Sequence, residues 1–372
     1  MNIKRFAALM LALALLAFTA CAKGGAGEEQ TDDPADGNSP AAETDAAAES
    51  PVSGRTVAFI SGDAGDPFYA AARKGAQEYA AQWGLRLVFP EETDQTAAVR
   101  RAVEAGVDGI CIAPGGVETL PDQLREARAA GVAVTTWFAD APPDARMLTV
   151  SQGTADMLGP MLVEMGAESL KERGVDVMGG VRWIWHASDL TSADQNAWFE
   201  AGSAYIKNTY PQWIMAEQPY CSDGDAEYAA AVGGRIFEEY PDVQLIICSD
   251  FAALPGQCRA AHERGLTAAD VTITGFCPRS VMLPYLEEGV CARWGLWDCG
   301  MQSAMACYLA AWLSQGNEAR VGDVIGIPRI GSVELLANSE LAAEQESGVN
   351  SGVVLLPERI VYTAKNVADY DF

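Results

Sequence analysis

Residues 56–89, TVAFISGDAGDPFYAAARKGAQEYAAQWGLRLVF, hold a complete strand–helix–strand unit. TVAFIS (56–61) is short and apolar, as a strand covered on both faces must be. Asp66 and Pro67 then supply a helix start: a carboxylate that accepts from free backbone N–H groups, and a proline whose missing N–H is not needed in the first turn. Phe68, Ala72, Ala76, Tyr79 and Trp83 follow at spacings of three and four, one face of a helix, and LRLVF (85–89) is the next strand.

The alternation continues with a helix near 96–105, the strand DGICIA (108–113), a helix near 117–130 and the strand VAVTTWF (132–138). This β-α-β-α-β-α-β order predicts a parallel sheet with helices on both faces. It restarts after SQGTAD (151–156), with strands expected near 177–185, 213–219, 243–248, 270–276 and 292–297. The expected fold class is therefore α/β, two doubly wound parallel-sheet lobes in tandem. In such sheets ligands sit beyond the carboxyl ends of the strands, so a site is expected among the residues that leave them, facing one cleft.

Upstream, MNIKRFAALMLALALLAFTAC (1–21) places Lys4 and Arg5 before an apolar run from Phe6 to Phe18 that is too short to span a bilayer. It reads as a signal peptide, and the small residues Thr19 and Ala20 before Cys21 resemble the lipobox of bacterial lipoproteins, whose new N-terminal cysteine carries lipid. Residues 22–53 contain no Leu, Ile, Met, Phe, Tyr or Trp and cannot offset their ordering entropy by burial. They are expected to form a flexible acidic tether with ends about 30 Å apart. The expectation is a protein anchored to the outer face of the cell membrane and not spanning it.

The formal charge of −26 divides into +2 for residues 1–21, −7 for residues 22–53 and −21 for the body from Gly54 onward. Such acidity argues against nucleic acid, whose phosphates need clustered Lys and Arg. Eight further cysteines, at 111, 221, 248, 258, 277, 291, 299 and 307, form no CxxC pair and no metal-ligand spacing. Cys111 and Cys248 lie in apolar strand runs, where a thiol acts as a small hydrophobe. Any disulfide pairing among the eight is left open by the sequence. No GxGxxG after a strand, GxxxxGK[ST], HExxH or GxSxG is present, so neither a cofactor nor a metal nor a catalytic group is expected. Of two histidines, His262 reads as a surface residue, and His186, after the strand ending in WIW, is a candidate to line the cleft.

Aromatic and polar residues gather at the expected strand ends: Phe68 and Tyr69 after the first, Trp137, Phe138 and Asp140 after the fourth, and Asp194 and Gln195 early in the second lobe. Ser249 and Phe251 follow a later strand, and Trp297 and Asp298 the last. Carboxylates and carboxamides bond hydroxyls while aromatic faces cover the C–H faces of a sugar ring, so this set points to a small carbohydrate-like ligand. For Asp194 a helix-capping role is the alternative.

ADQNAW (193–198), SVMLPYLEEGV (280–290), GLWD (295–298) and GVVLLPERIVYTAKNVADYDF (352–372) carry a resemblance to a known family. With these stretches the body resembles the type I periplasmic binding proteins, in the branch of the autoinducer-2 receptor of the Lsr transporter and its rhamnose-binding relatives. The resemblance implies a hinged two-lobed receptor that closes on its ligand and delivers it to an ABC-type permease. It places chain crossings near Ser151, Trp297 and about residue 330, giving a first lobe of 54–150 and 298–330 and a second of 151–297 and 331–372. It keeps the family's acid-amide pair as Asp194 and Gln195 and its aromatic pair as Phe68 and Tyr69. The family's lysine after the first strand aligns with Gly62, its aspartate after the fourth-strand tryptophan with Phe138, and its proline and alanine at a later strand end with Ser249 and Phe251. Lost charged hydrogen bonds, and hydroxyls left unpaired at about 1–3 kcal/mol each, lead to the expectation that Phe138 and Phe251 disfavour autoinducer-2 unless Asp140 or Asp63 replaces the missing partners. The sequence supports a monomeric binding protein of an importer for a small sugar or sugar-like ligand; an autoinducer-2 receptor, or a sensory receptor serving a membrane kinase, stays open as the alternative.

Overall fold

The computed structural model describes residues 50–370 except 190 and 342–344. The expected signal peptide, the lipidation site Cys21 and the tether as far as residue 49 lie outside the described residues. The folded body begins earlier than Gly54. Val52 is wholly buried in the core, Gly54 N donates to Gly84 O at 2.9 Å, and Gln315 Nε2 donates to Pro51 O at 2.8 Å. One apolar side chain held by a turn is enough to end the tether at this point.

The first sheet is built from β1 (Thr56–Ile60), β2 (Arg86–Val88), β3 (Gly109–Ile112), β4 (Ala133–Trp137) and β5 (Leu148–Ser151), with α1 (Pro67–Gln82), α2 (Gln95–Glu104) and α3 (Leu120–Ala129) between them. Asp66 caps α1 by accepting from Phe68 N at 2.7 Å, with Pro67 in the first turn. After α4 (Ala155–Glu172) the second sheet contains β6 (Arg182–Ala187), the short β7 (Ile214–Met215) and β8 (Tyr220–Cys221), β9 (Leu245–Cys248) and β10 (Thr272–Gly275). Its helices are α5 (Ala193–Thr209), α6 (Ala226–Glu239), α7 (Ala253–Glu263) and α8 (Arg279–Glu287). β11 (Arg293–Leu296) precedes α9 (Cys299–Leu313), and the chain ends with β12 (Val324–Ile327), β13 (Gly331–Glu334), β14 (Gly352–Leu355) and β15 (Ile360–Thr363).

The first sheet runs in the order β14-β5-β4-β3-β1-β2, every pair parallel, and the second in the order β10-β9-β6-β7 with β8 also on β6. Side chains alternate between the faces of the first sheet: Val57, Phe59 and Cys111 join one core, and Ala58, Ile60, Ile110 and Ile112 the other beneath α2 and α3. Because every pair is parallel, the carboxyl ends of the first sheet share one edge, and rings just beyond it, Phe68 and Phe138, touch Phe251 of the second lobe.

Three expectations change. The strand expected at 177–185 starts only at Arg182, because residues 176–179 form a turn in which Gly179 N donates to Asp176 O. The strand expected at 213–219 breaks into β7 and β8, with Pro219, which lacks an N–H for the ladder, at the break. The return to the second lobe comes after Leu355, not near residue 330: β14 pairs with β5 from Leu148 to Ser151, and β15 then pairs antiparallel with β11. Segment 331–355 therefore packs with the first sheet.

α9 is buried along its length except at Met301 and Trp312, and it crosses α1 with little clearance. A Cβ on Gly75 would lie 2.4 Å from Gly300 Cα, which is backbone and cannot swing aside. Gly75→Ala is expected to cost about 2 kcal/mol as the helices are forced apart, read as a lowered melting temperature.

Candidate functional site

Two lobes whose strands end face to face leave a cleft, and its floor is aromatic. Phe68 lies 5.1 Å from Phe251, and Phe138 stacks on Phe251 at 6.0 Å and faces Trp297 at 6.3 Å, so rings from both lobes touch. Trp137 is fully buried 6.2 Å from Phe68, and Tyr69 packs edge-on to Phe68 at 5.4 Å. Burial, then Asp66, raises the Tyr69 hydroxyl to about 12.

Phe138 adopts φ +65, a conformation that bulky residues rarely hold. Directly after β4 this turn puts its ring on the cleft and brings Asp140 to the same wall. Such strain persists where surrounding structure over-determines it, and it clusters at binding sites.

Above the rings lies a cavity of about 120 Å³. Phe138 and Asp140 wall it from the first lobe, with Thr149, Ser151 and Gln152 at the β5 exit, and Asp194 and Trp198 wall it from α5. Asp140 is tightly held: its Oδ1 accepts from Thr136 Oγ1 at 2.7 Å and Ala141 N at 2.8 Å, and both oxygens accept from Arg146, at 3.0 and 2.7 Å. Asp194 makes no side-chain hydrogen bond among the described residues. Ser192, not Asp194, occupies the capping position of α5, and Asp194 sits in its first turn, so the capping alternative does not describe this structure. Its carboxylate reaches the open cleft, yet the surrounding protein desolvates it, and together with nearby Asp140 this pushes its pKa up to about 6.

The remaining expected residues sit elsewhere. Gln195 Oε1 accepts from Ser188 N at 2.8 Å and from Ser249 Oγ at 3.2 Å, while Ser249 Oγ accepts from Trp185 Nε1 at 3.0 Å. This network fixes the exits of β6 and β9 and does not face the cavity. Asp298 caps α9 by accepting from Met301 N at 2.7 Å. His186 is wholly buried, 2.7 Å through Nδ1 from Gln257 Nε2, and burial, helped by Arg235, lowers it to about 3. It belongs to the second-lobe core rather than the cleft.

Sequence reasoning missed the β5 exit, Trp198, and Glu340 with Leu341, which complete the cavity wall. The signal for the first was available: SQG (151–153) leaves a strand, though it reads as a boundary between lobes. Nothing local marks Glu340, which reaches the cleft on the irregular connection between β13 and β14. All eight described thiols are unpaired, and no group of three or more His, Cys, Asp or Glu is arranged to hold a metal among the described residues.

A raised carboxyl favours its neutral form in the folded protein. Its stabilising contribution is present at low pH and is lost as pH rises through about 6. Asp194→Asn, uncharged throughout, is therefore expected to melt above the parent protein at pH 7.5 and to lose that advantage by pH 4.5, as followed by thermal melts.

A family model described as a periplasmic binding protein domain matches residues 57–318. LsrB from Clostridium saccharobutylicum, solved in complex with AI-2, is 45% identical, with 85% of this chain and 100% of that chain covered and a TM-score of 0.79. An ABC transporter solute-binding protein from Clostridium phytofermentas with bound L-rhamnose shares the fold at 20% identity, with 85% and 98% of the two chains covered and a TM-score of 0.68. A D-ribose/D-allose-binding protein from Pseudomonas aeruginosa is 22% identical over 65% of this chain and 76% of its own. The crossing strands, the cleft between the lobes and these likenesses agree, and the chain belongs to the type I periplasmic binding proteins, a family of non-enzymatic solute receptors.

Proposed function

We propose that this protein captures autoinducer-2, or a compact polyhydroxylated ligand very like it, outside the cytoplasm and passes it to an ABC-type permease. The observation that carries the reading is the small cavity with Asp140 on one lobe and Asp194 on the other. Closure of the empty cleft is opposed by the cost of desolvating the unpaired Asp194 carboxylate, with Asp140 nearby adding to it. A ligand rich in hydroxyls reverses this effect. Its O–H groups donate to the free Asp194 carboxylate and to the acceptor capacity left on Asp140 Oδ2, and such charge-assisted bonds form only when the lobes are together. A volume of about 120 Å³ favours a ring of a few carbons over a disaccharide, because pockets for larger ligands run to several hundred Å³.

This reading differs from the sequence-based expectation that Phe138 and Phe251 disfavour autoinducer-2. Those rings pack on one another at 6.0 Å, and Phe251 is not part of the cavity wall. Asp140, two residues beyond Phe138, brings a carboxylate to that wall, which is the replacement the loss at position 138 requires. The likeness to an autoinducer-2 complex at 45% identity supports the same ligand. The L-rhamnose complex at 20% identity supports the fold alone.

Calorimetric titration of the purified protein with autoinducer-2 tests the ligand. Micromolar or tighter binding is expected, weakened at least tenfold by Asp194→Ala at pH 7.5; no heat at millimolar ligand would reject the reading. Attachment is a separate part of the proposal, resting on Thr19-Ala20-Cys21 after an apolar run. Cys21→Ser is expected to leave the signal uncut or to release the protein from the membrane fraction, and wild-type protein found free after cleavage elsewhere would remove the anchor.

A further inference from the structure

We propose that the cleft has a second, outer subsite that receives an apolar arm on the ligand, a short alkyl chain borne by the polar ring in the inner cavity. The proposal rests on the autoinducer-2-like reading of that inner cavity. Beside it opens a hollow of about 460 Å³, and Asp140 and Asp194 belong to the walls of both. The two carboxylates thus form the partition between the spaces.

Beyond the partition the chemistry changes. Pro114, Val117, Pro121 and Pro142 form the first-lobe wall, and Ala193, the first residue of α5, belongs to the second-lobe wall. Prolines bring no N–H, and Ser192 carries the one side-chain hydroxyl among the described wall residues. Asp140 faces this hollow with Oδ1 taken by Thr136, Ala141 and Arg146 and Oδ2 bonded once, to Arg146. Away from Asp194 and Ser192, a hydroxyl placed there finds few partners. Val117, by contrast, leaves 37% of its surface in water inside a concave wall, where an alkyl group gains by displacing solvent from both surfaces. The walls come from both lobes, so an arm that fills the hollow is gripped only in the closed state and adds to the drive for closure.

The test is calorimetric titration of the mature protein with autoinducer-2 and with homologues whose ring methyl is lengthened to propyl or pentyl. Each methylene buried is worth about fourfold in affinity, so the propyl homologue is expected to bind at least tenfold tighter than autoinducer-2. Val117→Asp is expected to remove that gain, and Ala193→Glu on the opposite wall to do the same should the first variant fold poorly. Homologues that bind no tighter than autoinducer-2, or a gain that survives both folded variants, would overturn the outer subsite. Homologues that bind where autoinducer-2 does not would uphold the subsite and reject the inner-cavity reading. No binding by any of them would overturn both.

Discussion

Arg146 has a guanidinium with none of its surface in water, and the cleft is arranged around satisfying it. Asp140 takes Nε and Nη2, while Nη1 donates to Gly352 O at 3.0 Å and more weakly to Met147 O at 3.3 Å. Removing one partner from a buried pair of this kind costs about 3–5 kcal/mol, because the remaining charge is left without compensation. Asp140 is consequently a fixed acceptor, unable to swing toward or away from a ligand without breaking the pair. The same guanidinium holds β14 beside β5, and β14 is the last strand before the chain leaves for the second lobe. A group on the cleft wall is thereby tied to one of the crossings on which the lobes turn.

The other crossings are tied together in a similar way. Gln302 on α9 donates to Val150 O at 2.9 Å and to Gln152 Oε1 at 3.0 Å, and Arg359, just after β14, donates through Nε to Gln152 O. Gln152 stands where the chain first leaves the first sheet, so three segments that pass between the lobes meet around one residue. A Cβ on Gly153 would come within 3.1 Å of Arg359 Nε, so that side chain would have to shift to admit one. Connections held this closely favour rotation of each lobe as a unit over local unravelling.

The parts of this arrangement legible in the sequence are those whose causes are local. Asp66 and Pro67 open α1 through contacts within three residues, and the spacing of Phe68, Ala72 and Ala76 is set by the helix itself. The buried strands announce themselves by apolar runs, and their exits led to Phe138, Asp140 and Asp194, the three expected residues that reach the cavity. Gln195, Ser249 and Asp298 stand at the expected strand ends, but Asp298 is taken by the local cap of α9, and Gln195 and Ser249 are drawn into a scaffold network that joins exits some sixty residues apart. Trp185 and Ser188 claim Ser249 and Gln195, and no spacing rule reveals that. The late return of the chain was hidden for the same reason, since β14 finds β5 across some two hundred residues and nothing in GVVLL says which sheet it joins.

The aromatic floor brings the two lobes into contact beside the cavity. Phe68 and Phe138 from the first lobe meet Phe251 from the second at 5.1 and 6.0 Å, close to the separations at which rings are in contact. Packed rings resist compression as protein interiors do, so these contacts act as a stop on closure. Of these rings only Phe138 reaches the wall of the cavity of about 120 Å³, which it shares with polar residues of both lobes. Ring packing and polar lining thus fall to different residues: the phenylalanines hold the two lobes in contact, and Asp140 and Asp194 bring carboxylates to the cavity wall. Phe138 then has a structural role of its own, because the ring, turned by its positive φ, both lines the cavity and stacks on Phe251, while Asp140 two residues on brings a carboxylate to the same wall.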